Sequence, residues 1–153
     1  MTRPQAPTLA LNLGEQISKV LITQADGITI TYKLAFGLDA MTPGPFRQDP
    51  PTAHELEQAI MVVEDALMPL AARIPAHELV TLHSPVPLAD EFGSHELSRE
   101  SIEQLFGQFA AMVEGDPLAA AHLPKGRHFA AVLLILREWM HHLDAKRVVV
   151  VAE

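Results

Sequence analysis

The stretch Leu9 to Ile22, "LALNLGEQISKVLI", decides how the rest of the chain is read. Two short apolar runs are joined by a polar turn with one glycine, the pattern of two strands meeting at a tight connection. Strands are expected over Leu9–Leu13 and Lys19–Thr23. Downstream, "GITITYKLA" alternates Ile28, Ile30, Tyr32 and Leu34 against polar threonines and Lys33, and Asp26-Gly27 supplies a hairpin signal. The chain therefore opens as a three-stranded meander.

After "MTPGPFRQDPP", whose prolines and glycine forbid regular structure, "THEL" forms a capping box. Thr52 is the expected N-cap and Glu55 its partner, ahead of Leu56, Ala59, Ile60, Val63 and Leu67 at helical spacing. Pro69 ends or kinks this helix. A fourth strand is expected over Glu78–Leu82, followed by a loop containing Pro85 and Pro87. Ser98 is placed to cap a second helix carrying Ile102, Leu105, Phe106, Phe109 and Val113, which Gly115 stops. The helix Arg127 to Leu143 is apolar nearly all round from Val132 to Leu136, and "RVVVVAE" reads as a strand buried on both faces.

Composition limits the function classes. At 153 residues the chain suits a single domain, expected over residues 9–153 after an extended or disordered segment 1–8. The absence of cysteine excludes a disulfide framework, a thiolate zinc site and a cysteine nucleophile. A formal net charge of −8, without a basic cluster, argues against nucleic acid as a partner. "FAAVLLILREWM" is too short to span a bilayer and is interrupted by Arg137 and Glu138. "MTRPQAPTLAL" lacks the apolar core of a signal peptide, so no membrane association and a cytoplasmic location are expected.

The order strand, strand, strand, helix, strand, helix, helix, strand is that of a ribonuclease H-like α/β unit, the half-domain of actin-like ATPases. A five-stranded mixed sheet with helices on both faces is the expected architecture. On the words "LALNLGEQISKVLI", "YKLAFGLDAMTPGPFRQDPPTAHELEQAI", "HELVTLHSPVPLA", "LSRESIEQLFGQFAAM" and "HLPKGRHFAAVLLILREWMHHLDAKRVVVV", the chain resembles the second actin-like domain of the exopolyphosphatase and guanosine-pentaphosphate phosphatase family. The resemblance runs from about Leu9 to Val151.

The resemblance places a phosphate loop at the first turn and a second at the end of the fourth strand. Such loops converge backbone amides on an anion, and glycine leaves room for it. Here Asn12 stands at the family's aspartate and Gly14 keeps the first glycine, but Glu15, Gln16 and Ile17 replace the next glycines and the serine. Ser18 takes the variable position and Lys19 the glutamate, while His83, Ser84 and Pro85 replace the second loop's glycine-glycine-threonine. A carboxylate at Glu15 would repel a phosphate, and proline removes an amide donor. Asn12 lacks the charge that would help hold a divalent cation. The water-activating glutamate is implied to come from a first domain that lies outside this chain.

The resemblance therefore implies vestigial substrate-binding loops at Asn12, Gly14, Glu15, Ser18, Lys19, His83 and Ser84, with no catalytic residue and no metal ligand assigned. No cofactor is expected, magnesium entering only if residual phosphatase activity exists. Two readings follow: a non-catalytic interaction or regulatory module, or a residual phosphoanion binder or phosphatase completed by a second copy or a partner domain. A homodimer, or a protein partner supplying the missing domain, is expected. Binding of a nucleotide base or small acid is a third reading.

Other polar residues have structural explanations. His141 and His142 diverge by about 100° on a helix and complement its C-terminal dipole. His122 and His128 flank a turn whose Lys125 and Arg127 could hold an anion at a helix N-terminus, a solvated basic turn being the expected reading, and Glu64-Asp65 are expected on a wet helix face. Neither His77-Glu78 nor His95-Glu96 continues into an HExxH motif, and Trp139, Phe106 and Phe109 are core residues.

Overall fold

The computed structural model describes residues 7–42, 44–85, 92–121, 123–124 and 126–152. Its strands are β1 (Thr8–Asn12), β2 (Ser18–Thr23), β3 (Thr29–Leu34), β4 (Leu79–Ser84), β5 (Glu96–Ser98) and β6 (Arg147–Ala152). The helices are α1 (Ala53–Leu67), α2 (Arg99–Val113), the short α3 (Pro117–Ala120) and α4 (Arg127–Leu143). Residues 1–6, Pro87, His122 and Lys125 lie outside the described set, and with them the expectations that concern them.

Among the described residues the sheet has six strands in the order β3-β2-β1-β4-β6-β5, not the five expected. The additional strand is β5, which pairs antiparallel with β6 through Glu96↔Val149, Leu97↔Val148 and Ser98↔Arg147. The rest follows the expected plan. β1 pairs antiparallel with β2 and parallel with β4, and β4 pairs parallel with β6. The hairpin between β2 and β3 turns at Gly27, whose φ of 86° is the left-handed conformation glycine adopts without a Cβ penalty. Asp26 Oδ1 accepts from the Ile28 amide there at 2.9 Å.

The helix boundaries have local causes. Thr52 Oγ1 accepts from the Glu55 amide at 3.1 Å while Glu55 Oε1 accepts from the Thr52 amide at 3.1 Å, so two donors that α1 leaves unpaired are satisfied reciprocally. A 3-10 turn over Met68–Leu70 follows, with Pro69 in its first positions. Ser98 caps α2 through the Ser101 amide, and Gly115, at φ 103°, follows its last turn.

Burial along the strands shows how the layers lie. Leu9, Leu11, Val20, Ile22, Val80, Leu82, Val148 and Val150 are all buried and fall in register with one another, so they share one face. The residues between them, Ala10, Leu21, Thr81, Val149 and Val151, are only partly covered. The described helices therefore pack on one face of the sheet, not both. The same observation corrects β6: Val148 and Val150 are buried, whereas Val149 and Val151 keep exposure on the outer face.

α4 runs between α1 and α2, which explains why Ala130 to Leu136 are buried without a break. α1 contributes Leu56, Ala59, Val63 and Leu67 to the same core. Each buried leucine or valine of this kind stabilises the fold by about 1.5–3 kcal/mol relative to exposure. Trp139 is the largest fully buried side chain, and its Nε1–H donates to His77 Nε2 at 3.0 Å. His77 Nδ1–H donates in turn to the Pro75 carbonyl at 2.9 Å, so the neutral ring satisfies both partners. Burial lowers the pKa of His77, with the Pro75 hydrogen bond and the charge of Asp144 opposing it.

Candidate functional site

Ligands of open α/β sheets bind beyond the carboxyl ends of the parallel strands. Here those ends are Asn12 of β1 and His83-Ser84 of β4, together with the end of β6. Asn12 lies directly opposite Lys19 on one side and His83 on the other, and Lys19 in turn lies opposite Lys33. Residues opposite one another share a face, so Lys33, Lys19, Asn12 and His83 form a row across the outer face at its upper end. Three of the seven loop residues singled out in the sequence are thus brought together. Lys33 is the member that sequence reasoning missed; the register of the β2–β3 hairpin would have found it.

The others lie elsewhere. Ser18 and Ser84 are buried on the opposite, helix-covered side of the sheet. Ser18 Oγ donates to the Phe36 carbonyl at 2.9 Å and accepts from the Gly14 amide at 3.4 Å. Gly14 and Glu15 belong to the turn, and their carbonyls accept from the Leu38 and Asp39 amides at 2.9 and 2.8 Å. The Leu13 amide donates to the His83 carbonyl at 2.8 Å. The first two amides of the turn therefore serve its own framework, and its carbonyls clamp the segment after β3. Space is tight enough that both glycines are required: a Cβ at Gly14 would strike the Ile17 carbonyl oxygen, and one at Gly37 would stand 2.5 Å from the Glu15 oxygen.

Asn12 Oδ1 is buried and has no hydrogen-bond partner among the described residues. An unpaired buried acceptor costs about 1–3 kcal/mol. Magnesium keeps several waters and is anchored by one or two carboxylates. Asn12 offers a neutral amide at this position, a weaker anchor than a carboxylate.

Next to the turn, Asp39 is held at its far side by α4: His128 Nε2 stands 3.1 Å from Asp39 Oδ1, and Arg127 Nε 3.9 Å from the same oxygen. Arg127 and His128 are therefore engaged by a carboxylate of the neighbouring loop, not a free basic turn. At the other end of α4, His142 and Glu64, read separately in the sequence, meet with Glu138. The spacing Glu138-x-x-x-His142 was the available signal, since i and i+4 share a helix face.

No protein-family model and no curated protein sequence matches the chain. Solved structures do match. The Aquifex aeolicus PPX-GPPA enzyme superposes with a TM-score of 0.69 at 14% identity, covering 97% of this chain and 54% of that one. An exopolyphosphatase from Cytophaga hutchinsonii superposes with a TM-score of 0.59 at 15% identity, covering 97% of this chain and 55% of that one. The chain spans about half the length of the solved structures it matches. In fold, then, this protein is similar to about one half of a Ppx/GppA exopolyphosphatase.

Proposed function

We propose that the chain is an exopolyphosphatase-related module that acts through its surface and not by hydrolysis. The observation that carries this reading is the start of the first turn, where the Leu13 amide is held by the His83 carbonyl and the Gly14 amide faces Ser18 Oγ, so neither is aimed at an anion. Catalysis of phosphoryl transfer depends on such pre-aimed donors and on a positioned base, and neither is assembled by the residues around Asn12. Purified protein with magnesium or manganese is expected to release no phosphate from polyphosphate or guanosine pentaphosphate above background. Turnover of about one per second, an ordinary enzymatic rate, lost in a Lys19→Ala variant, would overturn this reading.

A second reading, retained binding of a phosphoanion, has one specific support. Lys19 and His83 flank Asn12, with Lys33 beyond Lys19, and Asn12 Oδ1 has no hydrogen-bond partner among the described residues; the row lies at the carboxyl ends of the parallel strands. Under that reading anion binding without turnover is the expected behaviour, and a second copy or partner domain completes the site.

Under either reading the module works in association. We infer a closed homodimer, the commonest solution for a surface that must be covered, burying at least about 1,000 Å². The half-exposed outer face of the sheet, with Leu21, Val149 and Val151, supports association. α4 contributes little, being interior. Light scattering after size exclusion at micromolar concentration should return twice the mass of the 16.7 kDa chain. A monomer at all concentrations would transfer the inference to a different protein partner supplying the other half.

A further inference from the structure

We propose that Glu64, Glu138 and His142 form a zinc-binding site on the seam between α1 and α4, at the far end of the sheet from the Asn12 turn. Glu64 on α1 is brought to Glu138 and His142, which stand i and i+4 on α4, and one ligand atom from each lies within 4.8 Å of the others. His142 Nε2 stands 3.0 Å from Glu138 Oε2 and 3.3 Å from Glu64 Oε1. A tetrahedral ion with arms of about 2.1 Å holds its ligands about 3.4 Å apart. The two separations from His142 are close to that spacing, and the two carboxylates lie within 4.8 Å of each other, so side-chain rotations would bring the three atoms around one ion.

The chemistry of the set selects the metal. One imidazole nitrogen with two carboxylate oxygens suits zinc and its first-row neighbours, whereas magnesium prefers oxygen and keeps its water. Both carboxylates only accept, so in the metal-free state Nε2 carries the proton and shares it between them. Zinc takes the place of that proton at Nε2, and the neutral ring carries its single proton on Nδ1 instead, so no net proton is released.

Positioning is already in place. Glu138 is buried, at 1% exposure, on a helix whose neighbouring residues are apolar core. Its second oxygen, Oε1, accepts from Arg137 Nη1 at 3.1 Å, and the Arg137 guanidinium is seated over the Phe106 ring at 4.7 Å. That contact holds the carboxylate with Oε2 toward His142, the orienting role that outer partners play in metal sites. Glu64 is 42% exposed in its side chain, so the fourth position of the ion faces water. Three protein ligands and one open position result.

Titration of the metal-free full chain with zinc chloride in a calorimeter tests the site, with cobalt absorbance as a second readout of tetrahedral geometry. One ion per chain is expected, with affinity reduced at least about tenfold in His142→Gln and in Glu64→Gln. His141→Gln, which alters the adjacent ring outside the cluster, should bind as the parent does. Glu64→Gln changes an exposed side chain, so it keeps the test valid if His142→Gln is poorly folded. Absence of binding, or binding equal in the parent and Glu64→Gln, overturns the proposal and leaves the cluster as a proton-bridged contact between two helices.

Discussion

Replacing Trp139 by alanine is expected to remove about 3–5 kcal/mol of stability, the cost of emptying a large aromatic site in a packed core. For a chain of this size that corresponds to a fall in melting temperature of roughly 6–20 °C. The effect is large because Trp139 has no exposed surface and sits on α4, the helix that α1 and α2 enclose. A cavity there has walls on every side and little freedom to collapse. The indole also supplies the proton that His77 Nε2 accepts, tying α4 to the segment leading into β4. Trp139→Phe keeps one six-membered ring but loses the indole N–H, its hydrogen bond to His77 and part of the ring volume, at about 1–3 kcal/mol. Thermal unfolding followed by circular dichroism checks both variants. An alanine variant that melts within a degree or two of the parent would show that α4 is not the centre of the core.

Gly37→Ala is the second substitution with a large expected effect, about 1–3 kcal/mol or more, although it adds a single methyl group. The new Cβ would meet the Glu15 oxygen at 2.5 Å, the Glu15 carbon at 2.6 Å and the Gly14 oxygen at 2.7 Å. All three are backbone atoms, so no side chain can swing aside. Relief requires the Gly14-Glu15 turn to move away from the segment after β3, which breaks the bonds from the Leu38 and Asp39 amides. Gly27→Ala is the informative contrast: nothing lies within 4 Å of its Cβ position, and its cost is that of the positive φ alone. Hydrogen exchange should show faster exchange at Leu38 and Asp39 in Gly37→Ala only. Unchanged exchange at both amides would show that the turn is not clamped as described.

The three long helices were legible in the sequence because their signals are local, whereas the four-residue helix Pro117–Ala120 was not expected. Thr52 and Glu55 stand three residues apart, and the apolar spacing from Leu56 to Leu67 needs no distant partner to be recognised. α4 was readable from Arg127 to Leu143 for the same reason, its apolar girth marking a helix enclosed by others. β5 was not legible: three residues, Glu96–Ser98, are too few to show an alternation, and Leu97 alone faces the core. The valines of β6 misled in the opposite direction, since a continuous run does not reveal that only Val148 and Val150 are covered.

At the candidate site, Asn12, Lys19 and His83 were singled out through the family resemblance, position by position. Their alignment into a row with Lys33 is a matter of strand register, which a list of residues does not contain. The meeting of His142 with Glu64 spans 78 positions and depends on how α1 is laid against α4.

The short β5 has a protective role. β6 is a run of four consecutive valines with high strand propensity and no proline, the composition that pairs readily with other chains when its edge is free. β5 occupies that edge, and it is itself a poor template, being three residues long and marked by Glu96, which pairs with Arg147 at 2.8 Å. The most aggregation-prone segment of the chain is thus placed in the interior of the sheet, behind a strand too short and too charged to recruit another.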